Sequence, residues 1–144
     1  MDTLSPEKRS WNMSRIRGKN TKPELAVRSM LHRLGYRFRI ADKTLPGKPD
    51  IVLPRYGAVI FVHGCFWHRH PECKYAYMPK SKIEFWSKKF EANVLRDKNN
   101  LSLLKKAGWL PIVVWECEIE RNATATLDKV SRVLKRRLKK LATA

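Results

Sequence analysis

The densest group of chemically versatile side chains lies in residues 63–73, which read HGCFWHRHPEC. Three of the four histidines and two of the three cysteines of the chain fall in this segment. With a further cysteine downstream, three thiolates and one imidazole would suit a tetrahedral Zn²⁺ site of the closed, structural type. The predicted ligands are Cys65, His70, Cys73 and Cys117. The alternative is that Cys117 is a small buried hydrophobe and that the histidines line a loop.

One carboxylate, Asp50, stands between the turn LPGKP and an apolar strand, a position where proteins commonly hold hard cations. In metal-dependent nucleases such a carboxylate binds Mg²⁺, which polarises the phosphate and stabilises the transition state. Those enzymes usually carry an acid-x-Lys pair on the next strand, but residues 59–63 read VIFVH. We therefore consider His63 and His68 as substitutes, because a histidine with a pKa of about 6.5 can deprotonate water near neutral pH. The alternative is that Asp50 simply begins a strand.

The chain of 144 residues carries 31 Lys and Arg against 13 Asp and Glu, a formal net charge of +18. So strong a positive field favours a polyanionic partner, and nucleic acid is the first to consider. No apolar run approaches the roughly 20 residues of a transmembrane helix. The first residues, MDTLSPEKRSWN, lack the apolar core of a signal peptide. With an odd number of cysteines, these features predict a cytoplasmic protein without disulfide bonds or a membrane span.

Apolar periodicity predicts the elements that position these residues. Thr21 and Glu24 have the capping-box spacing at the start of a helix that Gly35 ends. Alternation predicts a strand over residues 36–40, and two β-branched runs predict a buried hairpin over residues 51–62. Further apolar patterns predict a helix over residues 82–107, a strand over residues 110–115 that ends near Cys117, and a basic amphipathic helix over residues 126–141.

The element order α, β, β, β, α, β, α predicts an α/β fold in which helices flank a mixed central sheet. We find no repeats or Gly/Ser-rich linkers, so we expect one domain over residues 20–144, preceded by a loosely held arm over residues 1–19. Basic residues are concentrated in both flanks of the chain. We interpret the cations of the C-terminal helix as a solvated face that attracts phosphates.

Several short motifs, distributed over most of the chain, agree with one known family. They are RSWNMSRI at residues 9–16, Thr21-x-x-Glu24, LPGKPD at 45–50, FVHGCFWH at 61–68, EFW at 84–86 and VWEC at 114–117. On these motifs the sequence resembles the very short patch repair (Vsr) endonucleases, which act on DNA mismatches. The combination of LPGKPD with HGCFWH is highly specific.

The resemblance implies a fold related to restriction endonucleases of the PD-(D/E)xK class, with a structural Zn²⁺ and a catalytic Mg²⁺. It also implies incision of duplex DNA on the thymine strand beside a T:G mismatch, which arises when 5-methylcytosine deaminates. The expected functional associations are a cytosine-5 DNA methyltransferase, a repair polymerase and a ligase. We expect a monomer, because a T:G site is asymmetric and only one strand is nicked.

The resemblance also implies roles for individual residues. Asp50 and the main-chain carbonyl of Val62 would bind Mg²⁺, at a position where family members usually carry Thr instead of Val62. His68 would act as the general base, and His63 would position a water or contact the phosphate. Glu24 would assist from a second layer, although a capping box alone also explains a glutamate there. The zinc ligands match the family pattern, with one extra residue ahead of the third ligand.

Apolar side chains are expected to open the base stack at the mismatch, which costs a few kcal/mol and less at a mispair. The resemblance assigns this role to Phe66, Trp67 and Trp86 on one side of the DNA. Met13 and Ile16 of the N-terminal arm would insert from the other side. The alternative for Trp86 is a place in the core, because apolar residues at core-like spacing surround it.

Three other functions are compatible with the sequence. A zinc-stabilised DNA-binding module without catalysis would keep the basic flanks and the Cys/His cluster but would not need Asp50 and His68. A restriction-type enzyme of the same fold would cut matched duplex on both strands. An RNA-directed nuclease would prefer single-stranded or A-form substrates.

Overall fold

The computed structural model describes residues 21–143. The predicted arm over residues 1–19, with Met13 and Ile16, lies outside the described residues. The strands of the described part form one sheet in the order β1-β2-β3-β4. Their bounds are β1 Arg39–Ile40, β2 Ile51–Leu53, β3 Ala58–His63 and β4 Leu110–Trp115. The first three strands pair antiparallel and β3 pairs with β4 in parallel, so the sheet is mixed.

Helices flank this sheet on both faces. Within residues 21–143 they are α1 Lys22–Arg33, α2 Cys65–His68, α3 Ile83–Lys106 and α4 Glu116–Thr143, and a 3₁₀ turn, Pro54–Tyr56, joins β2 to β3. The predicted α/β fold with a mixed, helix-flanked sheet is therefore confirmed, whereas the relationship to restriction endonucleases stays a prediction. In the part of the chain that the structure describes, no helix is long and apolar enough to cross a membrane.

The sheet buries side chains on both faces, and every residue of β2 and β3 is buried. Because side chains alternate along a strand, Ile60 and its even-numbered neighbours pack on one face while Val59 and Phe61 pack on the other. The first face is covered by α1 and α4 through Val27, Leu31, Leu127, Val130 and Leu134. The second face is covered by α3 through Leu104. The central hairpin is therefore held between two helical layers.

Helix α1 begins and ends where the sequence predicts. The backbone N–H of Glu24 donates to Thr21 Oγ1 at 3.4 Å, and Gly35 follows the helix with a φ of +86°. The N–H of Tyr36 then donates to the carbonyl oxygen of Leu31, as in a Schellman motif. The hydroxyl of Tyr36 lies 2.6 Å from Ser131 Oγ on α4. These bonds hold Tyr36 between α1 and α4, so it does not pair with the sheet. The predicted strand over residues 36–40 is therefore wrong except for Arg39–Ile40.

The segment after β4 also differs from the prediction. Helix α4 begins at Glu116, immediately after β4, instead of near residue 126. Asn122 interrupts it with extended backbone angles, and its Oδ1 accepts a hydrogen bond from the N–H of Ala125, so it caps the second segment. The predicted strand over residues 110–115 is present, and Cys117 lies two residues beyond its end, in the first turn of the helix that follows.

Candidate functional site

A cleft of about 560 Å³ opens where β3 ends and β2 begins. Its lining includes five residues that the sequence analysis singled out, namely Glu24, Asp50, Val62, His63 and His68. It also includes two acidic residues that the sequence analysis did not name, Asp42 and Asp97, and the cations Arg28, Lys43 and Lys48. Groups from α1, the turn before β2, strand β3, α2 and α3 thus meet in one concave site.

Asp50 is anchored to the neighbouring strand through its side chain. Oδ2 of Asp50 accepts a hydrogen bond from the N–H of Val62 at 2.7 Å, just beyond the last backbone pair of β2 and β3. Burial raises the pKa of Asp50 from 3.8 to about 6, the Val62 hydrogen bond opposes this rise, and the charge of Glu24 adds to it. A partly desolvated carboxylate of this kind gains from an adjacent cation that compensates its charge.

His63 ends β3 and His68 ends α2, and their rings stack face to face. The ring centroids are 3.8 Å apart and the planes differ by 4°. Burial, together with the charge of His68, lowers the pKa of His63 to about 4, while the charge of Asp97 opposes the shift. His63 is therefore neutral near pH 7, which suits a hydrogen-bonding role better than a cationic one.

Asp97 on α3 completes this group. Its Oδ2 lies 2.6 Å from His68 Nδ1. Burial raises the pKa of Asp97, but the hydrogen bond and charge of His68 outweigh burial, and the net shift is downward. Because an ionised carboxylate only accepts hydrogen bonds, Nδ1 of His68 carries a proton, and in the neutral form of the ring Nε2 is the acceptor.

Sequence reasoning missed Asp97, although a signal was present. Asp97 lies seven residues from both Phe90 and Leu104, which are buried on the same side of α3. An acid at this helical spacing faces inward and needs a partner there. The pattern would have identified Asp97 as a buried acid but not its partner, because α2 was not predicted.

The four predicted zinc ligands converge even though they come from separate parts of the chain. The donor atoms of Cys65, His70, Cys73 and Cys117 all lie within 4.8 Å of one another. Nδ1 of His70 is 3.6 Å from Cys65 Sγ and 3.4 Å from Cys117 Sγ. In a tetrahedral site with Zn–S of about 2.3 Å and Zn–N of about 2.0 Å, this edge measures about 3.5 Å. The donor set and its spacing therefore fit a tetrahedral metal ion.

The thiols of this cluster have unequal acidity. Burial raises the pKa of Cys65 to about 12 and also raises that of Cys117. Burial raises the pKa of Cys73 as well, but hydrogen bonds from the N–H of Tyr75 and from the other two thiols lower it, so the net shift is downward. Metal binding here must therefore displace protons from at least the most buried thiol.

The loop around the cluster accommodates the extra residue ahead of Cys73. Arg69 and Glu72 both adopt left-handed backbone angles, with φ of +56° and +57°. The N–H of His70 donates to the carbonyl oxygen of Cys65, and the N–H of Ala76 donates to that of Cys73. The N–H of Cys65 also donates to Oε1 of Glu116 on α4 at 2.9 Å. These bonds link the start of α2 to the start of α4.

The three predicted wedge residues of the described chain lie together in an aromatic cluster of Phe66, Trp67, Trp86 and Phe90. The centroid of Phe66 is 5.0 Å from Trp67, 5.7 Å from Trp86 and 5.2 Å from Phe90. Phe90 is buried, whereas the other three rings are only half-buried. Trp86 thus packs on a core ring while part of its surface stays exposed. Arg69 supports the cluster, since its guanidinium lies 3.9 Å from the Phe90 centroid and donates to the carbonyl oxygen of Phe66.

Glu24 takes part in the capping box of α1 and also contributes a carboxylate to the cleft. Its backbone N–H takes part in the cap of α1, while its side chain is buried and lines the cleft. The carboxylate lies 3.3 Å from Nη2 of Arg28, one helical turn further along. The capping bond therefore leaves the carboxylate in the cleft beside Asp50.

Comparison with known proteins finds related sequences over most of the chain. The family model for the DNA mismatch endonuclease Vsr matches residues 1–74. The chain is 40% identical over 126 residues to DNA mismatch endonuclease Vsr of Escherichia coli (strain K12), covering 88% of this chain and 80% of that protein. It is 53% identical over 118 residues to Type II nicking enzyme V.XorIIP of Xanthomonas oryzae pv. oryzae, covering 82% and 86%. It is 43% identical over 134 residues to Type II nicking enzyme V.NmeAIP of Neisseria meningitidis, covering 93% and 94%.

These relatives confirm the resemblance that the motifs predicted, and they show that the chain is an endodeoxyribonuclease. The chain belongs to the Vsr family of DNA mismatch endonucleases.

Proposed function

We propose that this endonuclease nicks duplex DNA on the thymine strand beside a T:G mismatch, in a reaction that requires Mg²⁺. The observation that carries the proposal is the cleft in which Asp50 meets the stacked histidines and Asp97. Hydrolysis of a phosphodiester needs a ligand for the cation and a base for the attacking water within one site. The cleft contains residues suited to both tasks.

Asp50 and the main-chain carbonyl of Val62 are the proposed ligands of Mg²⁺. The N–H of Val62 occupies Oδ2 of Asp50, and the carboxylate has a second oxygen for a cation. Mg²⁺ prefers oxygen ligands, and it would stabilise the charge that develops on the scissile phosphate. Glu24 adds negative charge from α1 and raises the attraction of the site for a cation.

His68 is the proposed general base. Asp97 holds Nδ1–H of His68, so Nε2 is the nitrogen that can take a proton from the attacking water. His63 is stacked against it and stays neutral, so it can orient that water or donate to a phosphate oxygen. In this proposal His68 accepts the proton of the water, and His63 positions that water or a phosphate oxygen.

The proposed role of the Cys/His cluster is structural, with Zn²⁺ bound by Cys65, His70, Cys73 and Cys117. Three thiolates and an imidazole form a closed tetrahedral set typical of structural zinc. The cluster connects the loop after α2 to the first turn of α4, and it lies directly beside the residues that carry His63 and His68. Zinc binding would therefore stabilise the edge of the cleft.

Mismatch recognition is proposed to use the half-buried rings of Phe66, Trp67 and Trp86 as a wedge between base pairs. Unstacking is least costly at a mispair, which favours insertion there. Met13 and Ile16 of the arm over residues 1–19 are proposed to insert from the opposite side. The net charge of +18 supplies attraction to the phosphates that is independent of sequence.

The cellular role follows from the chemistry of the substrate. A T:G mismatch forms when 5-methylcytosine deaminates, so we propose a functional link to a cytosine-5 DNA methyltransferase, a repair polymerase and a ligase. We further propose a cytoplasmic enzyme that acts as a monomer on one strand. A restriction-endonuclease-like fold is part of the same proposal, and the mixed sheet with Asp50 at the start of β2 supports it.

The proposal is tested by single-turnover nicking of a labelled T:G duplex on a denaturing gel, with Mg²⁺ present or omitted. We expect wild-type enzyme to nick only with Mg²⁺. Asp50→Ala and His68→Ala should each reduce the rate by about 10²- to 10⁴-fold. Asp128→Ala, an exposed acid on α4, is the matched control and should nick at the wild-type rate. DNA binding without cleavage by the wild-type enzyme would instead support the zinc-stabilised binding module.

A further inference from the structure

We propose that Trp115 is a positioning residue that couples the Cys/His metal cluster to the catalytic histidines. The inference rests on the proposed function, because it assumes that His63 and His68 act on the scissile phosphate and its water. It assigns to the metal a second task besides stabilising the fold. The metal would set the orientation of the His63 ring through the indole of Trp115.

The indole of Trp115 contacts one histidine of each site. It stacks on His70, with centroids 4.2 Å apart and planes within 12°. It makes a T-shaped contact with His63, at 5.2 Å and 72°. His63 in turn stacks on His68 at 3.8 Å. An unbroken series of ring contacts therefore runs from a proposed metal ligand to the proposed general base.

The sheet fixes the two central members of this series. Trp115 is the last residue of β4 and His63 the last residue of β3, and the two are paired in the parallel register. Side chains at paired positions of adjacent strands project from the same face. The two rings are thus neighbours by topology, and a shift of either strand would move both.

His63 depends on these ring contacts for its orientation. In residues 21–143, no group forms a hydrogen bond with the His63 ring, which makes ring contacts with Phe61, His68 and Trp115. A histidine ring without a hydrogen-bonded partner rotates about χ2 unless packing prevents it. His68, by contrast, is held by Asp97. Trp115 is therefore the contact through which the metal cluster can act on His63.

The other end of the series is held by the metal site. Nδ1 of His70 is the atom directed at Cys65 and Cys117. Coordination through this atom restricts the plane of the imidazole, and the stacked indole follows that plane. A misplacement of about 1 Å in a catalytic group can reduce a rate by about 10²-fold, so small movements of the indole matter.

The first test compares Trp115→Leu and Trp115→Phe with wild type and with Trp109→Leu. Trp109 is a partly buried indole immediately before β4, packed on the same side of the sheet as α3, so it controls for loss of a large apolar ring. We expect Trp115→Leu to bind zinc at the wild-type ratio and T:G duplex within about twofold, but to nick about 10- to 100-fold more slowly at saturating DNA. Trp115→Phe should restore part of the rate.

The second test measures the coupling between the metal cluster and His63 directly, without an activity assay. The chain has only four histidines, so the ring protons of His63 can be assigned by substitution and followed by NMR. Replacing Zn²⁺ with the larger Cd²⁺ should shift the His63 signals in the wild type. In Trp115→Leu the same exchange should shift His70 but leave His63 unchanged.

The outcomes separate this inference from the proposed function. Wild-type nicking rates in zinc-loaded Trp115→Leu would overturn the inference while leaving the function intact. The inference would also be overturned if the His63 NMR signals of the wild type do not shift when Cd²⁺ replaces Zn²⁺. If the wild-type enzyme does not nick T:G duplexes, the proposed function fails, but a metal-dependent His63 signal that requires Trp115 would still support the coupling.

Discussion

Asp97 and His68 are joined by a 2.6 Å contact between Oδ2 and Nδ1, although 29 residues separate them in the chain. The contact links the middle of α3 to the end of α2, a helix of only four residues. It is reinforced one turn earlier on α3, where Nδ2 of Asn93 donates to the carbonyl oxygen of Trp67. A long, packed helix thus fixes the ring of His68, which α2 alone could not do.

Asp97→Asn should slow nicking by about 10- to 10³-fold without weakening DNA binding, because an amide can also donate to Nδ1 and no longer selects one tautomer of His68. The measurement is the single-turnover rate at saturating enzyme, with duplex affinity determined separately. Asp128→Asn provides a charge-matched control on the exposed face of α4. An Asp97→Asn enzyme that nicks at the wild-type rate would show that the contact is only structural.

Removing the charge of Asp50 should stabilise the protein in the absence of Mg²⁺. The folded-state pKa of about 6 lies above the ordinary 3.8, so ionisation of Asp50 destabilises the fold as the pH rises through 6. At pH 7.5 the Asp50→Asn variant should be more stable by up to about 3 kcal/mol. Below about pH 3 the two proteins should converge, because Asp50 is then protonated in both states.

Denaturant unfolding at several pH values checks this prediction, with Mg²⁺ added in a second series. Mg²⁺ should stabilise the wild type and not Asp50→Asn, because a bound ion stabilises only the state that binds it. The amide of Asn can still accept the Val62 hydrogen bond, so the comparison isolates the charge. A variant that is less stable than wild type at pH 7.5 without Mg²⁺ would contradict the assignment of a strained carboxylate.

The Cys/His cluster should hold one metal ion per chain. The chain has three cysteines, so titration with a mercurial should release the whole metal content as all three thiols react. Cys73→Ser should lose most of the metal and melt several degrees lower, since each kcal/mol corresponds to about 2–8 °C in domains of this size. Metal analysis of the purified protein and a thermal melt measure both. Retention of stoichiometric metal by Cys73→Ser would exclude it as a ligand.

Gly47→Ala should destabilise the protein more than Gly35→Ala does. Both glycines have positive φ, which costs a non-glycine residue roughly 1–2 kcal/mol. At Gly35 an added Cβ would meet nothing within 4 Å, whereas at Gly47 it would lie 3.0 Å from Asn100 Cβ and 3.1 Å from Phe61 Cε1. The extra crowding would push the turn away from α3 and displace Asp50.

The difference between the two glycine variants is measured by denaturant unfolding, and nicking is measured at a temperature where both are folded. Gly47→Ala should nick more slowly than Gly35→Ala under those conditions. Equal unfolding free energies of the two variants would show that the turn at Gly47 can move without cost. The close approach of Gly47 to α3 would then not contribute to stability.

Patterns local in the chain were predictable, and contacts between distant elements were not. The hairpin of β2 and β3, the long helix α3 and the end of α1 at Gly35 follow from periodicity and capping residues. Tyr36 was assigned to a strand because its alternation with Phe38 is real, but its contacts with Leu31 and Ser131 outweigh that pattern. The early start of α4 was not predicted because Asn122 divides the helix into two segments. Only the second segment is long enough to show a helical pattern in the sequence.

The candidate site shows the same division. Motif spacing identified Asp50, His63 and His68, and the structure brings them into one cleft. The cluster of Cys65, His70, Cys73 and Cys117 also converges as spacing predicted. Asp97 and Trp115 were given no role from the sequence, because the roles proposed for them depend on which residues of other elements they contact. No single-sequence pattern reports such contacts.

The most direct test of the account is the position of incision in labelled duplexes that differ only at one base pair, T:G against C:G, with Mg²⁺ and saturating enzyme. We predict a single nick on the thymine strand beside the mismatch and no cut in the C:G duplex. Equal cutting of C:G, or cleavage of both strands, would contradict mismatch nicking by this cleft and indicate a restriction-type enzyme of the same chemistry.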